Sequence, residues 1–247
     1  MKVSFCTTCM DRLCHLQQVY LKSIENTLGC DVEFILLNYN SKDNLDEWVV
    51  ENLSEYIEKR IVKYYKTVEP SYFVASHAKN IACKLAAGDL ICNLDADNLV
   101  LPGFYEFVIS EFKQNPNIIL TSDSMDVNGH HGCCGKIICK KEDFHSVNGY
   151  DENIYLGWGM DDTNFQVRCR MQNDLEIKNV DKKWSFCIKH SNVMRTKNFQ
   201  LKDHTLSMSM SIEITKDAAE NKKYVANQDL HWGKANLIEN FHKEISI

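Results

Sequence analysis

Short apolar runs alternate with helically spaced segments over about the first 120 residues of the chain. The runs lack the polar alternation of half-exposed strands, and they predict strands buried on both faces at 3–6, 32–37, 61–65 and 90–94. Between them apolar side chains recur with helical spacing, which predicts helices over 12–27, 45–56, 75–87 and from Pro102 to about 113. This alternation indicates an α/β fold with a mostly parallel sheet flanked by helices.

The second half of the chain follows a less regular pattern. A polar, glycine-containing stretch over 122–135 precedes a predicted strand over 136–139, helices over 141–147 and 163–171, and a last strand over 184–188. The alternation stops after about residue 200. We therefore expect a main domain over 1–200 and a helical C-terminal extension over 201–247, which packs on the domain or, alternatively, contacts a membrane surface or another subunit.

Composition and charge restrict the class of partner. The 247 residues are long enough for a full core, and the formal net charge of -6 argues against a nucleic-acid backbone as the partner. The 11 cysteines include one C-x-x-C pair, Cys6 and Cys9, without a second pair for zinc. The N-terminus is too polar for a signal peptide, and no apolar run could span a bilayer. We expect reduced thiols and a cytoplasmic location, with at most peripheral contact with the inner face of the membrane.

Two carboxylates follow the fourth apolar run, in the sequence L-I-C-N-L-D-A-D-N over 90–98. In open parallel sheets ligands collect at the carboxyl ends of the strands, where Asp95 and Asp97 are predicted to lie. Neighbouring carboxylates repel each other unless a cation lies between them, and hard divalent cations prefer oxygen ligands. The alternative is that the two aspartates form a turn and cap the helix that follows Pro102.

A second candidate is the sequence G-W-G-M-D-D over 157–162. Glycines allow a ligand to approach the backbone closely, Trp158 could pack on a sugar ring, and Asp161 or Asp162 could act as a general base. The alternative for the two aspartates is the N-terminus of a helix, where the dipole favours a negative charge. His190 follows the last predicted strand as a third candidate, although a lone histidine is more often a surface or core residue.

These motifs together resemble the GT-A glycosyltransferases, which have a Rossmann-like fold, use nucleotide-sugars and carry a D-x-D metal motif. The sequence S-H-A-K-N-I-A-C-K-L-A-A-G-D-L-I-C-N-L-D-A-D-N resembles the family 2 type. The second half resembles the C-terminal region of the β1,4-galactosyltransferases, in which a glycine-containing strand, a short helix, N-G-[YF] and G-W-G-x-[DE]-D follow one another. Here the last two are residues 148–150 and 157–162, and the pair His190-Ser191 also fits. The resemblance covers about residues 2–200.

The resemblance implies a role for each donor-site residue. Asp97, assisted by Asp95 and completed by His190, would hold Mn²⁺ or Mg²⁺ against the diphosphate of a UDP-sugar. Gly135 would line the pocket of the donor sugar. The residues implied to contact the nucleotide are Thr8, Arg12, Asn38 and Lys79.

The resemblance also implies the acceptor site and the reaction. Trp158 would close over donor and acceptor, Asp162 would be the general base, and Asp161 would hold the acceptor. The reaction implied is inverting transfer of a hexose or N-acetylhexosamine, of galactose, N-acetylgalactosamine or glucose type. The acceptor would be a glycan or lipid-linked glycan in microbial surface polysaccharide synthesis.

Two other functions remain open from the sequence. A nucleotidyltransferase also places acidic residues on an α/β sheet, but it usually carries an N-terminal glycine-rich loop, and C-T-T-C-M-D-R over 6–12 has no glycine. A non-catalytic module that binds a nucleotide-sugar would retain the pocket and lose metal ligands or base. The presence of all the candidate carboxylates and of His190 argues against that module.

Overall fold

The computed structural model describes residues 1–122, 125–126, 128–129, 132–154, 156–228 and 231–247. Within these residues the strands are β1 (Val3–Cys9), β2 (Val32–Tyr39), β3 (Val62–Thr67), β4 (Leu90–Asn93), β5 (Ile118–Ser122), β6 (Ile137–Lys140), β7 (Glu176–Val180), β8 (Asn236–Glu239) and β9 (Lys243–Ser246). The helices are α1 (Leu13–Glu25), α2 (Leu45–Glu58), α3 (Ala75–Lys84), α4 (Phe104–Gln114), α5 (Lys141–Ser146), α6 (Asp161–Asn173), α7 (Asn192–Thr196) and α8 (His204–Glu220).

The described strands form one mixed sheet in the order β7-β5-β6-β4-β1-β2-β3-β8-β9. Its centre is the predicted parallel unit, in which Phe5 of β1 pairs with Phe34 of β2 and Cys92 of β4. Strand β6 runs antiparallel between β4 and β5, and β7 is parallel to β5. Because the central strands are parallel, the loops after β1, β2 and β4 meet at the same edge of the sheet.

Helices cover both faces of the sheet, as predicted for strands without polar alternation. On one face Phe5 packs in a cluster with residues from α1, α2 and α4, among them Leu16, Val49 and Val108. On the other face its neighbour Cys6 packs with residues from α3, α5 and α6, among them Ile81, Phe144 and Phe165. The continuous apolar runs of the central strands follow from this double burial.

The prediction of a strand over 184–188 is wrong. The segment instead forms a 3₁₀ turn over Lys182–Trp184, and Cys187 makes an isolated β-bridge with Asn98. The physical reason is that β4 already pairs with β1 on one side and β6 on the other, so it offers no free edge to another strand. The segment runs past the end of β4 instead, where the amide of Ile188 donates to the carbonyl oxygen of Asp97 at 2.9 Å.

The sequence predicted a helical C-terminal extension over 201–247, but in the structure this extension is only partly helical. Helix α8 packs against α6, but β8 and β9 form a hairpin that joins the sheet at the edge of β3. Leu237 and Ile245 pair across this hairpin, and the turn contains Asn240 and Phe241 with positive φ. No helix in the described residues has both the length and the apolar character needed to cross a membrane.

Candidate active site

A cavity of about 680 Å³ lies at the carboxyl edge of the central strands. It contains side chains from the loops after β1 and β4, from α3, from the start of α6 and from the segment before α8. Ten of the eleven residues selected from the sequence line it: Thr8, Arg12, Lys79, Asp95, Asp97, Gly135, Trp158, Asp161, Asp162 and His190. The remaining residue, Asn38, does not line this cavity.

Asn38 is buried near the carboxyl end of β2, with 1% of its surface exposed. Its side-chain amide donates to Asp46 and to the hydroxyl of Tyr64, both at 2.8 Å, and its oxygen accepts from the amide of Ser41. Because these partners use its polar atoms, the structure does not support the predicted contact between Asn38 and a nucleotide. Its role is to connect the end of β2 to α2 and β3.

Asp97 and His190 form a pair at the end of β4. The Nε2 atom of His190 lies 2.8 Å from Oδ2 of Asp97, and the side chain of Asn98 donates to Oδ1 of Asp97 at 2.7 Å. The ring of His15 lies 5.3 Å from that of His190. The bridge between Asn98 and Cys187 brings the two halves of the chain together here, although Asp97 and His190 are far apart in sequence.

Asp95 lies in a separate position, tightly packed against Gly135. A Cβ atom built on Gly135 would come within 2.0 Å of Oδ2 of Asp95. The side chain of Asn93 donates both to Asp95 at 3.2 Å and to the carbonyl oxygen of Gly135 at 2.6 Å. Burial raises the pKa of Asp95, Lys79 lowers it, and the charges of Asp97 and Asp161 raise it further.

The predicted metal site is therefore not assembled from three protein ligands in this structure. In the part of the chain that the structure describes, no three histidine, cysteine, aspartate or glutamate side chains are close enough together to hold a metal ion. Asp97 and His190 contact each other, whereas Asp95 is directed at Gly135. A carboxylate oxygen and an imidazole nitrogen are nonetheless a donor pair that a divalent cation can accept.

Lys79 of α3 lies against the two aspartates that begin α6. Its Nζ atom donates to Oδ2 of Asp161 at 2.6 Å and to Oδ1 of Asp162 at 2.7 Å. It also lies 5.0 Å from the centre of the ring of Tyr150. The side chains of Asp161 and Asp162 are 8% and 18% exposed, so Asp162 has the greater access to the cavity. The resemblance implies a nucleotide contact for Lys79, whereas in this structure its ammonium group contacts Asp161 and Asp162.

Burial and the charges of neighbouring side chains shift the pKa values of Asp162 and Lys79. The pKa of Asp162 is raised to about 8 by burial and by the charge of Asp161, with Lys79 lowering it and Asp95 raising it. Burial lowers the pKa of Lys79, but Asp161, Asp162 and Asp95 together raise it well above its ordinary value. Lys79 is therefore charged at neutral pH, while Asp162 retains a proton more readily than an ordinary carboxylic acid.

The two glycines beside Trp158 make room for α8. A Cβ atom on Gly157 would lie 2.8 Å from Cβ of Ser207, and one on Gly159 would lie 2.6 Å from Cβ of Ser211. The hydroxyl of Ser207 donates to the carbonyl oxygen of Trp158 at 2.6 Å. The close approach that the sequence had indicated for a ligand is made in this structure by a helix.

Trp158 itself lies in the cavity between charged and aromatic neighbours. Its ring stacks on His204 with centres 4.7 Å apart, and the guanidinium carbon of Arg195 is 4.8 Å from the ring centre. His204 begins α8 and Arg195 belongs to α7. Trp158 therefore joins the start of α6 to the segment that follows His190.

Several contacts in and around the site were not found from the sequence. Arg12 donates to the carbonyl oxygen of Met194 and to Nδ1 of His15, so α1 contacts the segment after His190. Arg195 follows His190 by five positions, and this proximity was an available signal. Lys136 is fully buried and gave no signal. Its Nζ atom donates to the carbonyl oxygens of Leu99 at 3.3 Å and Trp184 at 3.0 Å.

Comparison with known proteins bears on both halves of the chain. Residues 119–194 match the family model described as the N-terminal domain of galactosyltransferase. No curated protein sequence matches the chain. Among solved structures, residues 1-349 of S. aureus TarS in complex with UDP match with a TM-score of 0.63 and 15% identity, over 77% of this chain and 61% of that chain.

Two further TarS structures give the same result. Residues 1-349 of S. aureus TarS in complex with UDP-GlcNAc match with a TM-score of 0.61 and 15% identity, over 77% of this chain and 59% of that one. Another structure, of S. aureus TarS, matches with a TM-score of 0.63 and 15% identity, over 78% of this chain and 37% of that chain. The chain thus spans about three fifths of TarS 1-349.

The fold of this chain is the predicted GT-A fold, and the family model and this fold together support a glycosyltransferase.

Proposed function

We propose that this chain is an inverting, divalent-cation-dependent glycosyltransferase that moves a hexose or N-acetylhexosamine from a UDP-sugar to an acceptor hydroxyl. The observation that carries the proposal is that two sets of carboxylates face the same cavity. One set is Asp97 with His190 and the nearby Asp95, and the other is Asp161 with Asp162. The UDP and UDP-GlcNAc complexes of the structurally similar TarS support a UDP-sugar as donor.

The donor end of the cavity is assigned to Asp97, His190, Thr8 and Arg12. Asp97 and His190 would hold Mn²⁺ or Mg²⁺ directly, and Asp95 would add negative charge behind them. The ion would neutralise the diphosphate of the leaving UDP. Arg12 lines the same end of the cavity and, as a permanent cation, suits a phosphate oxygen. Asp97 and His190 would thus supply one carboxylate and one imidazole ligand, and such ions commonly take phosphate oxygens and water as further ligands.

The acceptor end is assigned to Asp161, Asp162 and Trp158. Asp162 would take the proton from the acceptor hydroxyl while that oxygen bonds to the anomeric carbon of the donor sugar. The bond from this carbon to UDP breaks in the same displacement, so its electron pair leaves with UDP and the configuration is inverted. A raised pKa suits Asp162 to this role, because a general base works best with a pKa near the working pH.

The donor sugar is assigned to the galactose, glucose, N-acetylgalactosamine or N-acetylglucosamine group. The family model supports galactose and the TarS complex supports N-acetylglucosamine. The acceptor proposed is a glycan or lipid-linked glycan of a microbial surface polysaccharide, reached from the cytoplasmic side. A non-catalytic sugar-binding module is the competing function, and turnover separates the two.

The test is release of UDP from the four UDP-sugars, measured with Mn²⁺ and with EDTA. We expect release from one or two donors, with water taking the place of the acceptor, and loss of release in EDTA. UDP should also bind more tightly with Mn²⁺ than without it in calorimetric titration. Absence of both UDP release and Mn²⁺-dependent UDP binding would overturn the proposed function. Binding without release from any donor, with glycan acceptors added, would favour the binding module.

A further inference from the structure

The position of Lys79 is the starting observation. It lies on α3, is 5% exposed, and directs its ammonium group at Asp161 and Asp162 with distances of 2.6 and 2.7 Å. These distances are those of charge-assisted hydrogen bonds. The ring of Tyr150 packs at 5.0 Å from the same Nζ atom. Lys79 therefore has its charge directed at the start of α6.

The two aspartates need such a partner. They are neighbours in sequence, both lie in the first turn of α6, and both are mostly buried. The helix dipole favours a negative charge there, but the two carboxylates repel each other and lose solvation on burial. A cation placed between them offsets both costs.

We infer that Lys79 is a positioning residue for the general base: it holds one oxygen of each carboxylate and so orients Asp162 toward the acceptor hydroxyl. This inference rests on the proposed function and replaces the nucleotide contact that the resemblance implies for Lys79. Oδ1 of Asp162 is engaged by Lys79, which leaves its second oxygen for the acceptor. Asp161, the less exposed of the two, is anchored by the same ammonium group.

Lys79 also sets the charge of the base. The groups that act on Asp162 are Asp161, Lys79 and Asp95, and the hydroxyl of Tyr150 is a further titratable neighbour. Of these, Lys79 lowers the pKa of Asp162 whereas Asp161 and Asp95 raise it. Removal of Lys79 would raise this pKa further, so that the base would hold its proton over more of the working pH range.

The experiment compares Lys79→Met and Lys79→Arg with the parent, using Lys84→Met as the matched control. Lys84 lies on the same helix and donates to the carbonyl oxygen of Trp232, away from the cavity. UDP with Mn²⁺ is the binding probe, and UDP release from the best of the four UDP-sugars gives kcat and the donor KM. The pH dependence of release and the thermal midpoint complete the measurements.

For Lys79→Met we expect UDP affinity within about threefold of the parent and kcat lower by about 100-fold, the usual contribution of a working general base. The acid limb of the pH profile should move to higher pH. Lys79→Arg should recover part of kcat and the parent pH limb, because the charge is retained. Lys84→Met should leave all of these unchanged. A UDP affinity at least tenfold weaker in Lys79→Met at an unchanged kcat would overturn the inference and restore the nucleotide role.

The double variant Lys79→Met/Asp161→Asn tests whether the loss of stability in Lys79→Met comes from the unneutralised carboxylates. If Lys79 neutralises the two carboxylates, removing one of their charges should recover part of the thermal midpoint lost in Lys79→Met. Should Lys79→Met fail to fold, Lys79→Arg decides the matter: a lower kcat at parent UDP affinity supports the inference, and a parent kcat overturns it. A parent enzyme that neither binds nor releases UDP would instead refute the proposed function itself, which is a different outcome.

Discussion

The contact between Gly135 and Asp95 predicts that one added methyl group, in Gly135→Ala, lowers activity while the protein remains folded. Gly135 does not have a positive φ, so alanine can adopt its backbone conformation. The added Cβ atom would lie 2.0 Å from Oδ2 of Asp95, 2.7 Å from Cγ and 2.8 Å from Oδ1. In Gly135→Ala the whole carboxylate of Asp95 must therefore move, because the three atoms nearest to the added Cβ all belong to it.

The size of the effect follows from the distance to be gained. To reach the 3.0 Å below which real Cβ contacts are essentially never seen, Oδ2 must move by about 1 Å, and by about 1.4 Å to reach ordinary contact at 3.4 Å. A misplacement of about 1 Å in a site can cost about 100-fold in rate, or roughly 2.7 kcal/mol of transition-state stabilisation. The hydrogen bond from Asn93 to Asp95, now 3.2 Å long, would be disturbed as well.

We expect Gly135→Ala to lower kcat/KM for Mn²⁺-dependent UDP release by about 100-fold. The matched control is Gly129→Ala, in the same connection between β5 and β6. Gly129 has a φ of +75°, and no atom of the described residues lies within 4 Å of a Cβ built on it. Alanine there should therefore cost about 1–2 kcal/mol of stability locally and leave kcat/KM unchanged. Circular dichroism and thermal melting establish that both variants are folded. A folded Gly135→Ala with parent kcat/KM would refute the view that the place of Asp95 matters for donor use.

Four further predictions concern other residues of the site and of the core beside it. Asp97→Ala should abolish the gain in UDP affinity that Mn²⁺ gives in calorimetric titration, and an undiminished gain would place the ion elsewhere. Asp162→Asn should retain that UDP affinity and lower UDP release by at least about 100-fold, whereas release near the parent rate would exclude it as base. Burial lowers the pKa of Lys136, so the unfolded chain binds more protons than the folded one as pH approaches 10.5, and the parent gains stability with rising pH. The free energy of unfolding of Lys136→Met minus that of the parent, measured in urea, should therefore fall as pH rises towards 10.5. A pH-independent difference would contradict this. Gly159→Ala should cost about 1–3 kcal/mol by overpacking against Ser211, and combination with Ser211→Gly should cost less than the sum of the two, as thermal melts of all three variants would reveal.

The parts of the fold that could be predicted from the sequence are those with a strong local pattern. The central strands and their helices were predicted because double burial produces uninterrupted apolar runs, and helical burial produces a regular apolar spacing. Strand β7 has a weaker pattern, because it is an edge strand whose residues are largely exposed. The hairpin of β8 and β9 was missed for a related reason: it lies at the edge of the sheet, where it covers β3, and not in the doubly buried centre.

For the candidate site, the sequence predicted the location of residues that the sheet topology brings together. Asp95 and Asp97 follow a central parallel strand, and Thr8 lies near the end of another, so they share the cavity. The sequence did not predict which strand-end side chains have their polar atoms occupied by neighbouring elements. Asn38 also lies near the end of a central strand, but Asp46 and Tyr64 take up its polar atoms. Strand ends thus predict where a residue lies, whereas its partners decide whether it remains available to a ligand.

The two ends of the cavity differ in how their negative charge is neutralised. At the start of α6, Lys79 is a resident cation for Asp161 and Asp162. At the end of β4, Asp95 and Asp97 would meet a diphosphate that carries the same sign of charge. Two like unit charges 4 Å apart repel by about 4 kcal/mol at an effective dielectric constant of about 20, so these carboxylates would weaken UDP binding unless cations offset their charge. Arg12 also lines the cavity and offsets part of it, and the proposed divalent ion would add to that effect. In the proposed reaction the compensating ion arrives with the donor, which is the physical reason to expect that a divalent cation governs UDP affinity while Lys79 governs the base.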